Sequence, residues 1–540
     1  MVNILNSLYG AGTYARSTVV GTSTDGTTQA VIYNTHSVQL IGQTGIGFSS
    51  TSGPARQAMR FEFQPVGYDG NSDFYIYSSH YKAGTASSDQ TRRNAEAQQI
   101  RADVNTLPAN SRVLYTGDYN IQSSTETMYG TLTAAGNGQA IDPLNNSGTW
   151  HNNASKTGVM TQAPLVNTPA GSNLTGGGMD DRFDFQQLTS PVMSGNGMSY
   201  IGPSVPNTSI VPGQNSYHAL GVNGSLGVSA NINDPTNTAL PLSEYSPSGA
   251  QPTRTDVLNA LTTASDHLPV IADYQLPAKM SAGVAAVPSQ VIVGTPLAAN
   301  VSVSNVAPVS YAIGADELSY NVTGTGAASG AASGANLQVF AVPNTHALTL
   351  DTSTVGGKSG NVNVTGTSDS VANGTFNQGV NYTVLDHAAP DFVAATSTHI
   401  LDIDFGTLLL NSGTAQSSFQ ITNLAGVFRA GLDLTGFSEV GDAANRFSTD
   451  LSLFSNLAAG LNTGAYQVSF DTDQLGLFTA TYFLNPVDYS GIFGATGTSQ
   501  LEIDVRGLVQ VPEPSSIALA VVALAGCAAG RLYRKRQRID

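Results

Sequence analysis

The chain has 540 residues, of which 41% are hydrophobic and only 11% are charged, and it contains 57 glycines and one cysteine. The length favours two to four domains, the apolar content excludes a disordered chain, and the lone Cys527 excludes a disulfide framework. The formal net charge is −16, so the chain lacks the excess of basic residues that is typical of a tight nucleic-acid binder. A bound cation or a local basic groove can still serve a nuclease with a negative net charge.

Residues 1–276 alternate short strands with a few helices, which predicts a mixed α/β layered domain. Strands are expected within residues 28–42, 58–67 and 73–81, where apolar and polar residues alternate between turn signals. A helix is predicted over residues 89–108, because its apolar residues have helical spacing and Pro108 stops it. Buried strands are then expected in RVLYTGDYN, in FDFQQL and over residues 268–274.

From about residue 277 onward the helix signals nearly vanish. Strands rich in Val, Thr, Ser and Asn, separated by glycine turns, predict two β-sandwich modules over residues 277–390 and 391–509. The second module resembles Ig-like modules in its phrase DFG…FQITN. The run GTGAASGAASGAN, residues 324–336, is predicted to be a low-complexity loop. Between the modules, His387 is interpreted as a hinge residue rather than a ligand, and no catalytic constellation is evident in either module.

The C-terminal segment, residues 510–540, has three features in order: Pro512-Glu513-Pro514, an apolar run over 517–530, and a cluster of five cationic residues, Arg531, Arg534, Lys535, Arg536 and Arg538. The apolar run is shorter than the roughly 20 residues that span a bilayer, and a simple tail anchor is one interpretation. The whole segment resembles the bacterial PEP-CTERM sorting signal. The resemblance implies export to the cell envelope or extracellular matrix, transient membrane contact through 517–530, and processing by an exosortase-type enzyme.

Four polar phrases within residues 1–276 stand at the ends of predicted strands. They are YSSHYKAG with His80 and Lys82, VLYTGDYNI with Asp118 and Asn120, GGGMDDRFDF with Arg182 and Asp184, and TASDHLPV with Asp266 and His267. Singly, each has an ordinary explanation, such as a structural histidine, a Gly-Asp turn or a solvated acidic loop. Together they supply carboxylates, an amide, imidazoles and cations, a set that suits hydrolysis assisted by a hard metal such as Mg²⁺.

The order and content of these phrases (HxKAG, GDxN, DxRxD, SDHxPV) resemble the endonuclease/exonuclease/phosphatase superfamily. Its DNase-I-like fold packs two β-sheets in an α/β sandwich. The resemblance covers about half of the chain, and the SDHxPV phrase after GDxN is its most specific part. It implies a phosphoester hydrolase that uses Mg²⁺, or Mn²⁺ or Ca²⁺, on a phosphoester substrate such as DNA or RNA.

Carried over residue by residue, the resemblance assigns five catalytic roles. His267 would be the general base or a phosphate-contacting imidazole, and Asp184 would accept its other N–H. Asp118 and Asn120 would orient the attacking water and the scissile phosphate. His80 would stabilise the charge on the phosphate in the transition state.

The resemblance also implies a metal site and substrate contacts. Asp266 and Asp118 would bind the metal, and Lys82 and Arg182 are candidates for substrate contact. One departure stands out, because the family begins with strands that end in Asn and in Gln-Glu, whose Glu is the principal metal ligand. Neither phrase occurs before LNSLYGAGTYA, and that stretch contains no signal peptide. Both gaps predict a truncated or mis-started chain, in which metal binding would be impaired.

Three functions remain open. An exported nuclease or phosphodiesterase comes first. A lipid or small-molecule phosphodiesterase is an alternative because residues 1–275, with 11 basic and 18 acidic residues, lack a basic stripe. The third is a surface or matrix protein with a decayed hydrolase domain, in which the acidic sandwiches and the tail are the functional parts.

Overall fold

The computed structural model describes residues 1–202, 216–240, 252–393, 395, 397–512 and 516–536. Residues 1–276 are called the α/β region below. Its helices are α1 (Val2–Tyr9), α2 (Ser87–Val104), α3 (Thr127–Thr133) and α4 (Arg254–Ala264). Its strands are β1 (Tyr14–Arg16), β2 (Ile32–Asn34), β3 (Val38–Ile46), β4 (Ala58–Pro65), β5 (Phe74–His80), β6 (Arg112–Asp118), β7 (Asp184–Leu188), β8 (Ser199–Tyr200), β9 (His218–Ala219), β10 (Val270–Ile271) and β11 (Tyr274–Gln275).

The centre of the α/β region is a five-stranded sheet with the order β3-β4-β5-β6-β7. β5 and β6 are parallel, and the other neighbours are antiparallel. The strand expected over 268–274 is two short strands, because β10 pairs with β9 and β11 with β8 in separate two-stranded sheets. The α/β class predicted from the sequence is therefore confirmed.

Helix α2 packs on this sheet as its periodicity predicts. Ala97, Ile100 and Val104 are buried in the same hydrophobic cluster as Phe61 and Leu114 of the sheet. Asp89 in the first turn and Arg101 in the last complement the helix dipole, and the helix ends before Asn105. The helix thereby covers the strands that carry the polar phrases.

The first sandwich is defined here as β12 to β20. Its strands are β12 (Met280–Val284), β13 (Gln290–Ile292), β14 (Ala298–Asn305), β15 (Leu318–Gly326), β16 (Ala328–Ser329), β17 (Ala331–Leu337), β18 (Asn344–Leu350), β19 (Gly356–Gly366) and β20 (Thr375–Leu385). They form a four-stranded sheet, β12-β14-β18-β16, and a five-stranded sheet, β13-β20-β19-β15-β17. Their inner faces share one hydrophobic cluster.

The loop predicted over 324–336 is wrong, because β15 extends to Gly326, and β16 and β17 follow at once. The lack of a side chain at Gly334 in this run is a packing requirement rather than a sign of disorder. A Cβ on Gly334 would come within 2.4 Å of the Tyr320 ring. In the edge strand β17 the Tyr320 ring therefore fills the space that a side chain at position 334 would take.

The second sandwich is defined as β21 to β30. Its strands are β21 (Pro390–Phe392), β22 (Ile400–Leu409), β23 (Ala415–Phe419), β24 (Ile421–Asn423), β25 (Leu432–Val440), β26 (Phe447–Thr449), β27 (Phe454–Leu457), β28 (Tyr466–Phe470), β29 (Gly476–Asp488) and β30 (Leu501–Gln510). The sheet β22-β30-β29-β25-β27 faces the smaller sheets β23-β28-β26 and β21-β24 around a separate cluster.

Helix α5 (Ser516–Arg536) follows the second sandwich and contains the predicted apolar run. Among the helices that the structure describes, none combines the length and apolarity needed to cross a membrane. Glu513, Pro514 and Arg538 of the predicted sorting signal lie outside the described residues.

Candidate active site

Three neighbouring strands bring His80, Asp118 and Asp184 to the same end of the five-stranded sheet. His80 ends β5 and lies opposite Asp118, which ends the parallel strand β6. Asp184 begins β7, which runs antiparallel to β6. It lies opposite Asp118 on the side of β6 away from His80. His80 Nε2 is 3.3 Å from Asp118 Oδ2. Two strand ends and one strand start therefore converge in a row of polar side chains.

His267 joins this row from the segment between α4 and β10. Its Nδ1 lies 2.7 Å from Asp184 Oδ2, and its backbone N–H donates to Ser265 Oγ at 3.1 Å. The amide nitrogen of Gln162 lies 2.8 Å from His267 Nε2, where the amide can donate to a neutral ring or, turned over, accept from a charged one. Asp184 therefore fixes the ring orientation of His267.

The two imidazoles have opposite pKa shifts. Burial disfavours a charged His267, but the hydrogen bond to Asp184 and the negative charges of Asp184 and Asp118 outweigh it and raise its pKa to about 9. Burial, aided by the positive charge of Arg56, lowers the pKa of His80 to about 4. At neutral pH the site therefore holds one charged and one neutral imidazole, the separation of roles that acid–base chemistry needs.

The Asp118 carboxylate lies between these imidazoles and is held by Asn120. Asn120 donates its backbone N–H to Asp118 Oδ1 at 2.8 Å and its side-chain amide to Oδ2 at 2.6 Å. Its φ of 53° is a left-handed conformation that asparagine tolerates in turns. Burial and the charge of Asp184 raise the pKa of Asp118 to about 7.

The chemistry of this group fits a divalent cation. Potential ligand atoms of Asp118, Asp184 and His267 all lie within 4.8 Å of one another. Two half-buried carboxylates this close repel each other, as the raised pKa of Asp118 reflects, and a cation between them would relieve that repulsion. Carboxylate and amide oxygens, including that of Asn120, are the ligands that Mg²⁺ prefers.

Two other expected contributors lie beside this group. The Asp266 carboxylate accepts the backbone N–H of Thr175 at 2.9 Å and is not one of the grouped ligands, so its metal role stays a prediction. Lys82 follows β5 in a half-exposed loop, where Nζ lies 3.4 Å from Asp89 Oδ1. Substrate contact by Lys82 stays a prediction that rests on its place two residues after His80.

Arg182 is placed differently from the expectation of substrate contact. The residue is only 1% exposed, and its guanidinium forms two hydrogen bonds with the Asp142 carboxylate at 2.7 and 2.9 Å. It lies over the rings of Trp150, Phe185 and Tyr217. Arg182 therefore has no surface to offer a substrate, and the expected role is corrected to packing. Trp150 is fully buried.

Sequence reasoning missed Arg56, which supports the His80 strand end. Its Nη1 donates to the backbone carbonyls of His80 at 3.2 Å and Tyr81 at 3.0 Å, and its Nη2 pairs with Asp25 Oδ2 at 2.6 Å. The surrounding phrase GPARQAMR carries no motif that could have revealed it. Only the fold brings this guanidinium beneath the site.

A second polar group adjoins the first. His151 Nδ1 lies 2.9 Å from Asp181 Oδ1, and Asp180 completes the group. Burial and the charge of Asp181 raise the pKa of Asp180 to about 6. The backbone N–H of Gln162, whose side chain contacts His267, donates to the Asp181 carbonyl at 3.1 Å. The phrase DDRFD indicated the two aspartates, but nothing in the sequence linked His151 to them.

Comparisons with solved structures give weak matches. An endonuclease/exonuclease/phosphatase family protein from Bacteroides thetaiotaomicron is 13% identical, with a TM-score of 0.26, covering 50% of this chain and 75% of that one. A mannosyl-6-phosphatase of Bacteroides thetaiotaomicron is 13% identical, with a TM-score of 0.26, covering 51% and 80%. The VesB protease of Vibrio cholerae is 17% identical, with a TM-score of 0.16, and the match spans 22% of this chain and about a third of that one, 32%.

The sequence comparisons concern the tail. No curated protein matches the chain. Residues 510–535 match the family model of the PEP-CTERM protein-sorting motif, which confirms the sequence prediction. The chain thus carries a C-terminal sorting signal that indicates export and cell-surface anchoring through an exosortase.

Proposed function

We propose that the α/β region is a metal-assisted phosphoester hydrolase carried by an exported protein. The observation that supports this most is the 2.7 Å contact between His267 and Asp184 beside the carboxylate of Asp118 and the imidazole of His80. Phosphoryl transfer depends mainly on positioning and charge neutralisation, and this polar group supplies both kinds of residue.

The roles follow from the contacts. Asp184 orients His267, whose raised pKa keeps it charged at neutral pH and suited to face a phosphoryl oxygen. The neutral His80 can donate its ring N–H to a phosphate oxygen, and Asn120 holds the Asp118 carboxylate in place. A divalent cation held by Asp118 and Asp184 would neutralise phosphate charge and lower the pKa of the attacking water.

The test is hydrolysis by the purified chain of bis-p-nitrophenyl phosphate, plasmid DNA and sphingomyelin, with Mg²⁺, Mn²⁺ or Ca²⁺ and with EDTA. Cation-dependent cleavage of at least one substrate is expected. Asp184→Asn and His267→Gln should each lower kcat by about a hundredfold or more, the usual loss when stabilisation of transition-state charge is removed.

The matched control is His387→Gln in the sandwiches, where His387 Nδ1 lies 2.8 Å from Asp488 Oδ2 in a similar pair. This variant should keep full activity. If the folded parent cleaves none of the substrates with any cation, the hydrolase proposal fails. The alternative of a surface or matrix protein with a decayed hydrolase domain then becomes the better account.

A further inference from the structure

The first sandwich attaches at the end of the five-stranded sheet opposite the catalytic group. Arg112 begins β6, whose other end is the catalytic one, and its Nη2 lies 2.6 Å from Asp369 Oδ2 and 2.8 Å from Ser370 Oγ. Tyr68 donates its hydroxyl to the carbonyl of Pro277 at 2.8 Å, where the chain enters the first sandwich. The seven residues of β6 span about 20 Å between this joint and the site.

The first sandwich then separates the α/β region from the second sandwich. Strand β20, of 11 residues, leaves the joint near Ser370 and spans about 35 Å. Beyond its end, His387 Nδ1 contacts Asp488 Oδ2 at 2.8 Å, and Ile292 donates its N–H to the carbonyl of Phe493 at 3.0 Å. A small buried cluster seals this second joint; its members are Ile292, Leu385, Ala430 and Ile492.

The second sandwich continues the series to the tail. Strand β29 ends at Asp488 in the second joint, and Leu501 at the start of β30 pairs with Leu484 of β29. The 10 residues of β30 run away from the joint for about 30 Å and end at Gln510, where the sorting signal begins. Catalytic group and tail therefore lie at opposite ends of a series of strands whose combined length is on the order of 80 Å.

We infer that the two sandwiches form a stalk that holds the catalytic group at the end of the molecule away from the sorting tail. This inference rests on the proposed function and names its substrate as a phosphodiester that reaches the site from the surrounding medium. The membrane that receives the tail would lie at the opposite end of the stalk, so a phospholipid headgroup in that membrane is out of reach of the catalytic group. The Arg112–Asp369 ion pair holds the first joint and a buried cluster holds the second, so the stalk does not depend on a flexible linker.

The chain carries its own probes for the geometry of the stalk. Trp150 is the only tryptophan and is buried in the α/β region, and Cys527 is the only cysteine and is exposed in α5. An aminonaphthalene acceptor on Cys527 of the full chain should receive no energy from Trp150. In the control, Thr85→Cys combined with Cys527→Ser carries the acceptor on the α/β region and should give efficient transfer. Transfer to Cys527 as strong as in this control overturns the stalk, whatever the activity.

The substrate is tested by tethering. Cys527 is coupled to maleimide-headgroup lipids in vesicles that also contain a fluorogenic phosphodiester lipid, with bis-p-nitrophenyl phosphate in the medium. The tethered chain should cleave the soluble probe at the rate of the free chain and leave the lipid uncut. Preferential cleavage of the lipid overturns the inference. If the free chain cleaves neither probe, the proposed function fails and the substrate assignment fails with it. The energy-transfer result still decides the geometry of the stalk.

Discussion

Glu96, in the middle of α2, is a buried carboxyl that the site does not use. Both of its oxygens are buried and, within the part of the chain that the structure describes, accept no hydrogen bond. Burial raises its pKa well above the ordinary value of 4.5, and the charge of Arg56 only partly opposes this. The native state therefore keeps a proton on Glu96 that the unfolded chain releases above its own pKa. The contribution of this proton to the free energy of unfolding is complete below pH 4.5 and is lost as the pH rises towards the native pKa.

Glu96→Gln should remove this loss of stability. The parent and the variant should melt at similar temperatures near pH 4.5, and the variant should melt higher by a few degrees at pH 8, since one pKa unit is worth about 1.4 kcal/mol. Trp150 fluorescence follows the unfolding of the α/β region alone, because the sandwiches contain no tryptophan. Parallel curves of melting temperature against pH for the two proteins would contradict the assignment.

At the scale of elements, the Arg182–Asp142 pair links the segment before β7 to the loop after α3. Both side chains are almost fully buried, and their two hydrogen bonds are the compensation for removing two charges from water. Arg182→Leu leaves the Asp142 carboxylate buried and unpaired. The unfolding free energy of the α/β region should fall by about 3–5 kcal/mol, as measured by urea unfolding followed at Trp150.

The double variant Arg182→Leu/Asp142→Leu is the control for this prediction. It removes both charges and should recover most of the lost stability, because well-packed apolar residues replace buried ion pairs at little cost. A double variant as unstable as the single one would show that the guanidinium acts through its contact with the aromatic rings. An Arg182→Leu protein as stable as the parent would contradict the packing role of Arg182.

The elements show which parts of the fold a sequence can predict. The spacing of Ala97, Ile100 and Val104 predicted α2, but its buried face also includes Arg93 and Glu96. Arg93 is buried because Glu126 pairs with it at 2.7 Å, and that partner comes from another element. Periodicity therefore locates a helix well and fails where a distant charge compensates for burial.

The same limit applies to the site. The apolar runs in the sequence predicted where the strands end. The sequence therefore predicted that His80, Asp118 and Asp184 lie near strand ends, where a sheet can bring them together. Arg56 had no such signal, because its role depends on backbone carbonyls after β5 rather than on a motif. The direction of the Asp266 side chain towards Thr175 is likewise a matter of loop conformation.

At the scale of the whole molecule, the joint between the α/β region and the first sandwich determines where the site points. Arg112 is nearly buried and Asp369 is half-exposed, so their pair is worth about 1 kcal/mol. Asp369→Ala should therefore speed amide hydrogen exchange in residues 276–280 about fivefold, because opening of the joint becomes that much easier.

Asp351→Ala is the matched control, since its carboxylate pairs with Lys358 at 2.7 Å within the first sandwich and away from the joint. It should leave exchange at 276–280 unchanged. Both variants should cleave a soluble phosphodiester as the parent does, because neither residue lies near His267. Equal exchange in the two variants would mean that the joint is held by its other contacts, such as that between the Tyr68 hydroxyl and the Pro277 carbonyl. Slower cleavage in Asp369→Ala would mean that the joint affects the catalytic group through β6, and the stalk would then be more than a spacer.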